Sequence, residues 1–63
     1  LQQQSDETES RTLLARAQWL ARQGRYSEAV ETYEDMLTRF PDSPLADDAR
    51  NGISACRESL PDD

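Results

Sequence analysis

Cys56 is the chain's one thiol, and no histidine stands anywhere to activate it. A nucleophilic cysteine needs a neighbouring base or a depressed pKa. Cys56 instead falls on an apolar stripe, where a thiol behaves as a small inert hydrophobe. A zinc site needs about four nitrogen or sulfur ligands, and this composition cannot supply them. The paired acids Asp47-Asp48 and Asp62-Asp63 lack the spacing of a calcium loop and read as helix-start and tail solvation. No catalytic constellation emerges, so the expected function is non-enzymatic and free of cofactors. What remains is recognition chemistry. All seven basic residues are arginines, a bias that reads as genome composition or a high-salt lifestyle, with planar forks that match carboxylates as the secondary reading. Three side chains, Arg11, Gln18 and Arg22, recur at i, i+7 and i+11 with Leu14 on their flank, a line along one side of a helix.

Charge and size narrow the partner. Thirteen acids against seven bases give a net charge of −6 over 63 residues. That balance disfavours nucleic acid, whose binding depends on neutralising phosphates. No apolar run approaches the ~20 residues of a membrane span, so no direct membrane insertion is expected. The opening residues read as a polar linker, not as a secretory leader. A chain this short is one domain at most, burying only about 60% of its unfolded surface. One cysteine rules out an internal disulfide, so stability must come from helix packing or a neighbour.

The elements that position these residues are helices throughout, because nothing alternates with period two. Residues 1–9 (LQQQSDETE) are polar without helical apolar spacing and predict a linker that frays into the first helix. Ser5 or Ser10 would cap that helix, with Asp6, Glu7 and Glu9 near the positive end of its dipole. Leu13, Leu14, Ala17, Leu20 and Ala21 then fall within an arc of about 120°. Gly24 ends the helix by taking the left-handed turn that other residues resist. Ser27 caps a second helix whose stripe is Ala29, Val30, Tyr33, Met36, Leu37 and Phe40. Pro41 stops it. Ser43-Pro44 starts a third helix, with Ala49, Gly52, Ile53, Cys56 and Leu60 on one side. The expected helices are near 10–23, 27–40 and 44–59. Small Ala17 and Ala29 would let the first two cross closely.

Leu20, Gly24, Tyr26, Ala29, Tyr33, Leu37 and Pro41 together read L-x(3)-G-x-Y-x(2)-A-x(3)-Y-x(3)-L-x(3)-P. That order resembles the tetratricopeptide repeat, a helix–turn–helix unit of about 34 residues. The match covers residues 10–43, with Ala17 at the small position of the first helix. Leu13 stands in place of the usual tryptophan and Arg16 in place of a buried leucine, which implies a thinner core there. The stretch Phe40-Pro41-Asp42-Ser43-Pro44-Leu45-Ala46-Asp47-Asp48-Ala49-Arg50 is similar to repeats of bacterial envelope proteins. Those are the Tol-Pal accessory protein and the assembly lipoprotein of the outer-membrane barrel machinery; the likeness implies a periplasmic or cell-envelope setting.

The resemblance implies an all-α fold. Residues 10–60 form one domain, a helical hairpin over 10–43 and a capping helix over 44–60, followed by a tail over 61–63. It implies a scaffold that binds a protein or peptide. Arg11, Leu14, Gln18 and Arg22 stand at the positions that line the family's concave groove, though Leu14 and Gln18 replace the first two members of its asparagine-and-lysine clamp. Trp19 lies away from the apolar stripe, too large a ring to leave in water without a use. It marks an edge for adjacent repeats or for self-association as a homodimer. Homo-oligomerisation with no external ligand is the alternative function.

Overall fold

The computed structural model describes residues 2–60, with side chains from Glu7 onward. Three helices follow in order: α1 (Gln2–Arg22), α2 (Tyr26–Arg39) and α3 (Ala46–Ser59). All-α architecture is therefore observed. Each helix packs on its neighbour in sequence, and α3 touches α1 only lightly.

The first helix departs from expectation at its start. Residues 2–9, expected as linker, are helical. The stretch holds no glycine or proline, and its glutamines and glutamates are good helix formers. Polarity had suggested a loop, but a helix overhanging its partner needs no apolar face. Neither Ser5 nor Ser10 is a cap, since both lie inside α1. The Ser10 hydroxyl donates to the Glu7 carbonyl at 2.9 Å, one turn back along the same helix. Leu1 and the tail expected over 61–63 lie outside the described residues.

The α1–α2 turn follows the glycine reading. Gly24 has φ of 82°, a conformation that costs a glycine nothing. The Gly24 N–H reaches the Ala21 carbonyl at 3.0 Å and the Arg25 N–H the Leu20 carbonyl at 2.9 Å. These are the two bonds of a Schellman ending, and they satisfy carbonyls the helix leaves open. The cap of α2 differs from expectation. The helix begins at Tyr26 after Arg25, with no side-chain capping bond, so Ser27 sits within the first turn. Glu28 remains there, its charge at the favourable end of the dipole.

At the other end the Phe40 N–H closes on the Met36 carbonyl at 2.7 Å and Pro41 follows outside the helix. Proline disfavours helical geometry in the residue before it, so the chain leaves here. The Ser43 hydroxyl then accepts from the Leu45 N–H at 3.1 Å. Its carbonyl accepts from Ala46 at 3.0 Å. The serine expected as cap thus organises a tight turn, and the regular helix starts three residues after it.

Ala17, Ala29, Tyr33, Met36, Ala49 and Cys56 form the buried cluster, with Leu13, Leu14, Leu20 and Ala21 partly buried against it. Both expected alanines are fully buried. Arg16 is exposed, and among its described side chains α1 places no large one fully inside, so its share of the core is thin as expected. Across from it, α2 and α3 meet where Tyr33 covers Gly52. A Cβ on that glycine would fall 2.6 Å from the ring's Cε2 and from its hydroxyl oxygen. An exposed ion pair, Arg57 to Glu34 at 3.4 Å, joins the same helices at the surface; such pairs contribute about 0–1 kcal/mol.

Burial sets a pH limit on this core. Desolvation raises the Cys56 thiol above its ordinary 9.0. Burial also raises the Tyr33 phenol above 10.0, with the nearby Cys56 charge adding to it. Both groups are neutral when protonated, so the unfolded chain gives up these protons first as pH rises. Their stabilising effect is complete below pH 9.0 and is lost as pH climbs through the raised folded values. With no lysine or histidine to titrate, melting temperature should stay level from neutral pH to that point and then fall. In Cys56→Ala the fall should begin later, near the tyrosine range. An onset unmoved by that substitution would show that the thiol is not the group responsible.

Candidate protein-interaction site

One flank of α1 carries the residues singled out for recognition. Arg11, Gln18 and Arg22 are exposed, and Leu14 is half-buried with its inner side on the core. At 1.5 Å per residue, Arg11 and Arg22 lie about 16 Å apart along the helix. An extended segment of about five residues spans that distance. The four therefore form a line of two cationic ends, one amide and one apolar contact.

Arg11 also opens onto a small cleft with Glu7, Ser10, Ser43, Pro44 and Leu45. A larger depression of about 450 Å³ adjoins it, lined by Glu7, Ser10 and residues 39–44. Its polar groups are partly committed. Ser10 bonds Glu7, Ser43 bonds Leu45, and Arg39 pairs with Asp35 at 3.2 Å. Gln18 and Arg22 do not line either cleft. The structure thus joins Arg11 to a concave end, while the other two extend the line along open helix surface.

Ser10 and the 39–44 loop were not anticipated at this site. Ser10 is only 2% exposed, and its position carried one legible signal: it lies seven residues before Ala17, on the same helical line. The loop residues gave no such cue, because proximity across the fold depends on how α3 is set after the two prolines.

Electrostatics separates α1 from the rest. Arg25, Arg39, Arg50 and Arg57 each pair with an acid at 3.2–3.6 Å. Among the described residues, no ion pair engages Arg11, Arg16 or Arg22. Composition contributes to this, although α1 also carries Asp6, Glu7 and Glu9 before Ser10. Residues 10–22 hold three arginines and no acid, whereas residues 23–63 hold ten acids against four arginines. Trp19, at 56% exposure, stands within that basic stretch.

No group of three potential metal-ligating side chains occurs among the described residues. No described helix is long and apolar enough to cross a membrane.

The hairpin geometry, with a positive-φ glycine between helices and buried alanines at their contact, agrees with a family comparison. The model of the tetratricopeptide repeat matches residues 10–50, well over half of the chain. The chain belongs to the tetratricopeptide repeat family. The matched span begins at Ser10 and ends inside α3, so it takes in the hairpin and the start of the third helix. Neither a search of curated proteins nor one of solved structures gave a match. Tetratricopeptide repeats form helical scaffolds whose surfaces hold other proteins.

Proposed function

We propose that this tetratricopeptide repeat chain is a non-enzymatic interaction module whose α1 line holds an extended, acidic segment of a partner protein. Arg11 and Arg22 take carboxylates, Gln18 takes a backbone amide, and Leu14 offers the apolar contact between them. The observation that carries this reading is that, among the described residues, no ion pair engages the α1 arginines while the four others are all paired. An uncommitted guanidinium keeps its fork for a partner. The likeness of residues 40–50 to repeats of the Tol-Pal accessory protein and the outer-membrane assembly lipoprotein supports a partner in a bacterial cell envelope.

A second reading, homo-oligomerisation with no outside ligand, draws on the exposed Trp19 ring. Fluorescence anisotropy separates the two. The probe is a labelled peptide alternating glutamate and leucine, with its glutamine counterpart as control. The acidic probe should bind more tightly, with an affinity that falls as salt is added. Reversal of both Arg11 and Arg22 to glutamate should weaken it about tenfold or more. Equal binding of the two probes, or binding indifferent to that reversal, would contradict the groove reading.

A further inference from the structure

We propose that Asn51–Gly52 is a self-modification site: the pair converts to isoaspartate when α3 leaves α2, and the converted helix no longer seats beneath Tyr33. The site is separate from the α1 line and calls for no partner.

The chemistry belongs to this dipeptide. Asn51 is the chain's one asparagine, and glycine follows it. Once hydroxide takes the proton of the Gly52 backbone N–H, that nitrogen attacks the side-chain carbonyl carbon of Asn51. The new N–C bond closes a five-membered imide, and the side-chain amide nitrogen leaves as ammonia, taking a proton from water. Water then opens the ring. Opening at the side-chain carbon gives aspartate. Opening at the main-chain carbon gives isoaspartate, whose backbone runs through Cβ and Cγ and is one carbon longer. Glycine suits the attack because it has no side chain to crowd the ring. Gln23–Gly24 also sets an amide before a glycine, but its longer side chain must close a six-membered ring, which is slower.

The docked fold holds this pair where it cannot react. Both residues lie inside α3. An α-helical N–H is bonded to the carbonyl four residues back, so the Gly52 nitrogen is committed. Helical side chains also lean toward the N-terminus, which takes the exposed Asn51 amide away from the nitrogen that must attack it. Tyr33 adds a third restraint. Its Cε2 and hydroxyl oxygen lie 2.6 Å from where a Gly52 Cβ would stand, so the backbone here has no room to bend into an imide. The same contact explains the pair. Packing demands glycine at position 52, and glycine is the neighbour that leaves an asparagine most reactive.

Release of α3 is the step that lets the reaction run. The helix packs mainly on α2 and touches α1 only lightly. Its buried side chains are small, Ala46, Ala49 and Cys56, and the Arg57–Glu34 pair that ties it to α2 is exposed. An element holding so little apolar surface opens at a cost below that of global unfolding. Conversion is one-way. The extra backbone carbon breaks the helical bond pattern around position 52 and pushes the chain into the Tyr33 ring. It also adds a carboxylate to a chain already at −6. α3 then stays off, and the Cys56 thiol, 3% exposed in the docked state, comes into water.

The test incubates the whole chain at mildly alkaline pH, in buffer and in urea, and maps amide loss and isoaspartate by mass spectrometry of its peptides. Labelling of Cys56 by a thiol reagent follows the docking of α3. In urea, position 51 should convert first among the amides, with isoaspartate in excess over aspartate, and Gly52→Ala should slow it severalfold. In buffer, conversion should be slower by about tenfold or more, in proportion to the fraction of open α3. Tyr33→Val should speed conversion in buffer and leave the rate in urea unchanged. The purified isoaspartate chain should label at Cys56 faster than the parent. Asn51→Asp, which adds the charge without lengthening the backbone, should label like the parent. No conversion in urea, or equal rates in buffer and urea, overturns the proposal. So does an isoaspartate chain whose Cys56 stays as protected as the parent's. Equally fast labelling of Asn51→Asp would assign the release to charge and overturn the backbone account.

Discussion

Replacing Gly52 by valine is expected to remove a large fraction of the protein's stability. The Tyr33 ring lies where a side chain at position 52 would begin, with Cε2 and the hydroxyl oxygen 2.6 Å from a Cβ there. Tyr33 is 4% exposed and belongs to the central cluster, so the ring cannot swing into open water. Overpacking of this kind costs about 1–3 kcal/mol for added methylenes, occasionally more. Valine adds three carbons and a stiff χ1 in a helix. A domain of this length has a total stability on the order of 3–9 kcal/mol. The loss is therefore a large fraction of the whole. Alanine is the sharper comparison, because two effects oppose. It gains about 1 kcal/mol of helix propensity over glycine, against the same clash from a single methyl. Gly52→Ala should be net destabilising with Tyr33 present and stabilising relative to its own parent once Tyr33 is shortened to valine. Urea unfolding of the four chains, read as a double-mutant cycle, measures this directly. A Gly52→Val protein as stable as the parent would show that the ring does not rest on this glycine.

That contact marks the boundary of what the sequence makes legible. Position 52 was placed on the inner stripe of α3 by spacing alone, and Tyr33 on the inner stripe of α2. Their meeting depends on the rotation of one helix against the other, which periodicity along a single helix does not encode. The hairpin is different. Gly24, Ala17, Ala29 and Pro41 each impose a local requirement, a left-handed turn, two close approaches and a stop, and all four requirements are met within one stretch of chain. Helix starts were read less well for a related reason. Serine is a strong capping residue, yet Ser10 bonds back to Glu7 inside α1 and Ser27 lies within the first turn of α2. A serine favours a cap only where the helix begins, and α1 is already helical from Gln2, ahead of both serines. The recognition line was legible as spacing. Its opening onto a cleft at Arg11 was not, because Pro44 and Leu45 come to it across the fold.

Met36→Ala should cost about 2–5 kcal/mol, the range for removing a long buried aliphatic side chain and leaving a cavity. Met36 is fully buried and, with Ser10, is one of the largest side chains completely withdrawn from water. The rest of the fully buried apolar set is alanine: Ala17, Ala29 and Ala49. Beside those alanines the cluster holds only Cys56 and the Tyr33 ring, which already rests on Gly52, so little can move into the space that methionine leaves. Leu13, Leu20 and Leu37 are only partly buried, and drawing one inward would give up its present contacts on the rim. The upper part of the range is accordingly expected, enough to bring a domain of ~3–9 kcal/mol close to its unfolding midpoint. Met36→Leu, of similar volume, should lose less than about 1.5 kcal/mol. The contrast isolates the cavity from the chemistry of sulfur. Thermal melts of both variants followed by far-ultraviolet circular dichroism decide it. A Met36→Ala loss below about 1 kcal/mol would mean that α1 and α3 close over the vacancy, and that the helices are held by their half-buried leucines more than by the line through Met36.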